Sequence, residues 1–76
     1  MSRIRSVTAK DDYRLEAQLD NGSSITLNMK SRLGTVRFGL LADAEFFRRA
    51  TTDGLFVRWG NMVEISVSEL FQLAQK

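Results

Sequence analysis

The strongest pattern in the chain runs from residue 13 to residue 29. Tyr13, Leu15, Ala17 and Leu19 alternate with Arg14, Glu16, Gln18 and Asp20. A period of two with one dry face predicts a strand. Beyond Asp20-Asn21-Gly22 the alternation resumes, with Ile25, Leu27 and Met29 against Ser24, Thr26 and Asn28. Register decides the turn between them. A two-residue Asn21-Gly22 loop sets Leu19 opposite Ser24 and mixes the two faces. A three-residue loop with Gly22 in the left-handed conformation pairs Ala17 with Ile25 and Leu15 with Leu27, so the three-residue form is expected. Ile4 to Ala9 adds an N-terminal strand, turning at Lys10-Asp11-Asp12.

The second half repeats the theme less cleanly. Lys30 to Leu41 reads as a short helical turn followed by a loop. Asp43 then caps a short helix whose buried side is Phe46, Phe47 and Ala50, with Glu45 and Arg49 spaced for an i,i+4 pair. Thr51-Thr52-Asp53-Gly54 stops that helix. A second hairpin follows, Leu55 to Trp59 and Met62 to Ile65, joined through Gly60-Asn61 in a two-residue turn. That register puts Phe56, Val63 and Ile65 on one face and Val57, Trp59 and Met62 on the other. Such a ribbon is either covered on both sides or offers one face to a partner. Ser66-x-x-Glu69 is a capping box, Ile65 and Leu70 are placed for a hydrophobic staple, and Val67, Leu70, Phe71 and Ala74 form one stripe. The expected fold is α+β: a small, mainly antiparallel sheet of two hairpins plus an N-terminal strand, with a short middle helix and a C-terminal helix packed on the sheet. One domain spans residues 1–76.

Composition narrows the chemistry. The 76 residues include no Cys, no His and no Pro. Without cysteine there is neither a disulfide nor a zinc–thiolate site. Without histidine the commonest general base near neutral pH is missing. Lys10, Lys30 and Lys76 lie in turns or at a terminus, where burial does not easily lower a lysine pKa. Asp11, Asp12, Asp43, Asp53 and Glu64 each have a plainer role in a turn, a cap or a strand surface. Asp11-Asp12 lacks the ligand spacing of a calcium loop, and no phosphate-binding glycine loop is present. The expectation is a protein that is not an enzyme, with no catalytic or metal-ligating residues and no cofactor. The longest apolar runs are three residues, such as Leu55-Phe56-Val57, and no leader pattern opens the chain, so a cytoplasmic protein without a membrane partner is expected.

Two candidate surfaces remain. The formal charge is +2, and eight of the eleven cations are arginine, the residue suited to planar carboxylate or phosphate pairing. Lys30, Arg32 and Arg37, joined by Arg48, Arg49 and Arg58 if the fold gathers them, make the candidate nucleic-acid set, with Phe38 and Trp59 as stacking surfaces. The plainer account has these arginines pairing with nearby acids, which suits so small a net charge. The second surface is the two-sided ribbon: Phe56, Val57, Trp59, Asn61 and Met62 are the candidate partner-binding residues. Trp59 fits either an anchor at a hairpin tip or a core residue packed on a helix.

Ile4-x-x-Val7, Asp11-Asp12-Tyr13-x-Leu15, Asp20-Asn21-Gly22, Leu41-x-Asp43-x-x-x-Phe47, Trp59-x-Asn61 and Glu64-Ile65-Ser66-x-x-x-Leu70 together resemble a bacterial domain-of-unknown-function family, number 2442. The resemblance spans nearly the whole chain and implies a compact α+β domain with a mainly antiparallel sheet. Members of that family occur as small single-domain proteins, and some carry a helix-turn-helix after this domain. Their setting is similar to that of small operon-encoded partner proteins, including toxin–antitoxin-like pairs. The chain ends at Lys76, so no helix-turn-helix is expected here. Where the family tends to place proline, this chain has Ala44, Gly60 and Val67, which puts the turn at Trp59-Gly60-Asn61 in question. The functional expectation is a non-enzymatic module that binds another protein or itself, an accessory or antitoxin-like partner. Its alternative is a nucleic-acid-binding or regulatory domain using the arginine-rich surface.

Overall fold

The computed structural model describes residues 2–74; Lys76, weighed above as a base, lies outside them. Two three-stranded antiparallel sheets and two helices surround one core. The first sheet is a meander of β1 (Ile4–Ala9), β2 (Arg14–Leu19) and β3 (Ser24–Asn28). Two 3-10 turns, Lys30–Arg32 and Gly39–Ala42, lead to the single-turn helix α1 (Ala44–Phe47). The second meander is β4 (Thr51–Thr52), β5 (Phe56–Trp59) and β6 (Val63–Ser66), and β6 runs directly into α2 (Val67–Ala74). The α+β class is as expected. The expected single sheet is two, since no strand of the first meander pairs with one of the second, and Thr51-Thr52, which the sequence offered only as a helix stop, adds an edge strand to the second.

In the first meander the register follows the alternation. Ala17 pairs with Ile25 and Leu15 with Leu27. The Leu19 amide donates to the Ser23 carbonyl at 2.8 Å, and Gly22 sits at φ +89°. The three-residue loop is therefore the one that keeps Leu15, Ala17, Leu19, Ile25, Leu27 and Met29 on the buried face. β1 joins with a bulge at Arg5, since Ile4 faces Leu19 while Ser6 faces Gln18. Tyr13 closes the β1–β2 turn at φ +65°, a conformation that costs a side-chain-bearing residue about 1–2 kcal/mol. Two contacts offset that strain. Its hydroxyl donates to the Ala42 carbonyl at 2.5 Å, and its ring lies 5.3 Å from that of Phe47.

The second hairpin departs from expectation by one residue. Trp59 pairs with Val63, Val57 with Ile65, and Arg58 with Glu64. The loop is thus Gly60-Asn61-Met62, with Gly60 at φ +61° and the Met62 amide donating to the Trp59 carbonyl at 3.2 Å. One extra loop residue moves every side chain of the second strand to the other face. Val57, Trp59, Val63 and Ile65 all turn inward and are buried, while Phe56, Arg58 and Glu64 turn outward. The two-sided ribbon is resolved into one dry face and one wet face.

Round the core the elements follow the order β3, β2, β1, β4, β5, β6, α2. The Ile4 amide donates to the Gly54 carbonyl at 2.8 Å where the sheets meet, and α2 packs against both β6 and β3. Asp43 caps α1 as expected, accepting from the amides of Glu45 and Phe46 at 3.0 and 3.4 Å. α1 ends at Phe47, so Arg49 leaves the helix before it reaches Glu45, and that ion pair does not form. Ser66 accepts from the Glu69 amide at 3.1 Å, half of the capping box. The other half is missing because the Glu69 carboxylate pairs with Arg37 instead. Val67 and Leu70 are buried, but Phe71 is 41% exposed and Ala74 is exposed, since only the central part of the predicted stripe meets the core.

Candidate interaction surface

The candidate partner-binding residues do not share a surface. Val57 and Trp59 have no exposed area, which corrects their placement at a docking face. The Trp59 indole N–H donates to the Phe47 carbonyl at 2.8 Å, and the two rings stack with centroids 6.0 Å apart. Tyr13, Phe47 and Trp59 thus form a ladder from the first turn, through α1, to the second sheet. Phe56 is half-buried under the Arg58 guanidinium, 4.8 Å above its ring. Asn61 and Met62 remain exposed at the loop, Met62 by 64%. A groove of about 310 Å³ runs beside them, lined by Arg58, Gly60, Val63 and Glu64.

The basic set is dispersed as well, and half of it is engaged within the chain. Arg58 pairs with Asp53 and, at 3.1 Å, with its cross-strand neighbour Glu64. Asp53 accepts from the amides of Leu55 and Phe56, and these bonds, with Arg58 adding to them, hold its carboxyl below the usual aspartate value. Arg37 grips Glu69 with both terminal nitrogens and also donates to the Glu64 carbonyl at 3.0 Å. Its hydrogen bond lowers the Glu69 pKa against the opposing effect of burial. Arg32 donates to the carbonyls of Asn28 at 2.9 Å and Leu73 at 3.2 Å, the latter at the end of α2 where orphan carbonyls favour a cation. Phe38, proposed for stacking, is buried. Lys30, Arg48 and Arg49 stay exposed, and Arg48 has only a loose contact of 3.8 Å with Asp11.

Sequence reasoning missed two features. Val36, Leu40, Leu55 and Phe71 are exposed apolar side chains, Val36 completely so. Phe71 carried no signal, because its spacing fits the buried stripe. The second feature is the use of Arg32 and Arg37 on sheet edges, each bonded to a strand carbonyl that has no neighbouring strand. Among the described residues no charged or polar side chain is buried, and no buried side-chain polar atom lacks a hydrogen bond. No group of three or more Asp or Glu among them is placed to hold a metal, and no helix is long and apolar enough to cross a membrane.

No family model matches the chain, and no curated protein matches it in sequence. Among solved structures, a putative DNA-binding protein from Nitrosomonas europaea is similar, with a TM-score of 0.80 at 20% identity. The likeness covers 97% of this chain and 49% of that one, so this chain spans about half the length of that protein. At this identity the similarity shows a shared fold.

Proposed function

We propose that this chain is a non-enzymatic interaction module that contacts another protein or a further copy of itself. One contrast carries the reading. Arg32, Arg37 and Arg58 spend their guanidinium groups inside the chain, whereas Val36, Leu40, Leu55, Met62 and Phe71 are left to solvent. A surface that neutralises its own arginines and exposes large apolar side chains suits a protein partner better than a phosphate backbone. The pieces that resemble family 2442 support the same reading, since Tyr13, Asp43, Phe47 and Trp59 form one connected assembly that sets the fold rather than a reactive site. An accessory or antitoxin-like role belongs to this proposal.

The test is capture from the native host with Met62→Asp and Phe71→Asp beside the unchanged chain. A partner held by the unchanged chain and released by either variant supports the module. Recovery of nucleic acid with no protein overturns it.

A second reading, nucleic-acid binding, is favoured by the description of the Nitrosomonas protein and by the exposed Lys30, Arg48 and Arg49. Titration against mixed DNA and RNA at physiological salt separates the two. Micromolar or tighter binding that weakens steeply with salt establishes this second reading.

A further inference from the structure

The loop that sets the first hairpin, Asn21-Gly22-Ser23, contains the one asparagine–glycine pair in the chain. An asparagine side chain loses ammonia when the following backbone nitrogen attacks its Cγ, and a side chain on that following residue obstructs the attack. Three asparagines occur in the sequence; Asn28 and Asn61 precede Met29 and Met62, and only Asn21 precedes a residue without a Cβ.

The bonds made by the Asn21 side chain are arranged for ring closure. The Ser23 amide donates to Asn21 Oδ1 at 2.9 Å, which folds the side chain back alongside the Gly22 peptide group. The same N–H faces the oxygen on which negative charge grows as Cγ is attacked, as a donor in an oxyanion hole does. Nδ2, the nitrogen that must leave, donates to the Ser2 hydroxyl at 3.2 Å. Once Nδ2 becomes a tetrahedral amine it gains a lone pair, and that hydroxyl is placed to donate to it. Asn21, Gly22 and Ser23 are all exposed, so water reaches the loop, and a Cβ built on Gly22 meets no atom within 4 Å. The Gly22 N–H bonds the Leu19 carbonyl at 3.2 Å, the long end of the hydrogen-bond range, a restraint that local opening of an exposed loop releases. Asn28 is the internal control. It is also exposed and makes the same kind of bond, accepting from the Lys30 amide at 3.0 Å. Its successor differs: Met29 is buried, and its N–H is held by the Tyr13 carbonyl at 2.9 Å.

The geometry points to Asn21 as a self-modifying site, which the folded chain converts to aspartate and isoaspartate with water as the co-reactant. The Gly22 nitrogen forms a bond to Cγ, the Cγ–Nδ2 bond breaks, and ammonia leaves carrying the Gly22 proton. Water then opens the cyclic imide at one of its two carbonyls. Opening at Cγ gives aspartate; opening at the Asn21 main-chain carbonyl gives isoaspartate. Either product sets a carboxylate beside Asp20 and lowers the formal charge by one. Isoaspartate also adds a carbon to the main chain inside the loop whose length fixes the β2–β3 register. The conversion is therefore a slow clock on the first sheet. It needs no partner and does not depend on the module reading.

Incubation of the full chain at mildly alkaline pH and physiological temperature tests it, with circular dichroism following the fold and peptides mapped by mass spectrometry after digestion at acid pH. Expected are ammonia release and the amide-to-acid mass gain at residue 21, in two product peptides that separate chromatographically, with Asn28 and Asn61 unchanged. Gly22→Ala slows the loss of Asn21 by roughly tenfold or more, because its Cβ crowds the attacking nitrogen. Ser2→Ala, which alters no strand, slows it by a smaller factor. Conversion seen only in urea-unfolded chain, or conversion of Asn28 or Asn61 at the rate of Asn21, overturns the proposal. It fails equally if Gly22→Ala and Ser2→Ala both convert at the unchanged rate, since the loop geometry then plays no part.

Discussion

The two halves of the chain share one order of elements, a three-stranded meander followed by a helix, yet their registers are set by different means. In the first half, aliphatic side chains alternate with polar ones through β2 and β3, and the alternation alone selects the pairing. In the second half, apolar residues occur on both sides of the hairpin in sequence, and the loop and one anchored aromatic decide. Gly60 at φ +61° allows the three-residue loop, and the Trp59 hydrogen bond to Phe47 fixes which face goes inward. Neither helix stays with its own half. Phe47 of α1 touches both Tyr13 and Trp59, and α2 packs on both β3 and β6. A dispersed aliphatic face tolerates loss at one position better than a face organised round a single ring.

That contrast makes its largest prediction at Trp59. Trp59→Ala removes the ring, breaks the stack with Phe47 and strands a buried carbonyl, and is expected to cost about 3–5 kcal/mol. Leu15→Ala, in an equally buried but more redundant face, falls at the lower end of about 2–5 kcal/mol. Urea unfolding of the two variants measures the difference. If Leu15→Ala costs as much as Trp59→Ala, the second half has no special anchor and the comparison fails.

The loops sharpen it next. A Cβ at Gly22 or Gly60 meets no atom within 4 Å, so any penalty there is purely one of backbone conformation. Alanine is expected to cost about 1–2 kcal/mol at each position in thermal unfolding. Asparagine separates them. It tolerates the left-handed region near φ +57°, so Gly60→Asn recovers most of the loss while Gly22→Asn, at φ +89°, recovers less. Equal recovery at both sites removes the distinction between the loops. Tyr13→Phe tests the tie from the first turn to α1. It keeps the ring on Phe47 and loses only the bond to the Ala42 carbonyl, at about 0.5–1.5 kcal/mol.

The same contrast explains what was legible in the sequence. The first hairpin, its loop, the Asp43 cap and the Ser66 cap were readable because each depends on neighbours a few residues away. The second hairpin was misread by one position because local spacing gave both faces similar apolar content, and only the distant Phe47 carbonyl distinguishes them. That slip produced the apparent docking ribbon at Phe56, Val57, Trp59, Asn61 and Met62, of which the structure leaves only Asn61 and Met62 exposed. The arginines failed for a related reason. Arg32 and Leu73 are 41 residues apart, as are Arg37 and Glu69 by 32, and no periodicity announces partners at that range. Glu69 even carried a misleading signal, since its spacing from Ser66 fits a capping box that the pull of Arg37 leaves half made.

The smallest effect distinguishes the halves by their carboxylates. Arg37 draws Glu69 below its ordinary value of 4.5, and Arg14 draws Asp12 below 3.8 through a side-chain hydrogen bond in the first turn. In each case the unfolded chain takes up the proton first as pH falls. The stabilisation is therefore complete above the ordinary carboxylate value and is lost as pH drops through that value toward the lower folded one. Glu69 is the more sheltered acid, with 25% of its side chain exposed against 52% for Asp12. Arg37→Ala is expected to cost up to about 1 kcal/mol at neutral pH and to flatten the acid limb of stability below pH 4.5, the half-exposed guanidinium limiting the size. Arg14→Ala flattens it less, because both members of that pair lie in water. Thermal unfolding from neutral pH down through the carboxylate range, at low and high salt, reads both slopes. Equal flattening by the two variants means that the Arg37 grip on α2 acts as an ordinary surface pair, and the second half then owes its cohesion to the Trp59 face alone.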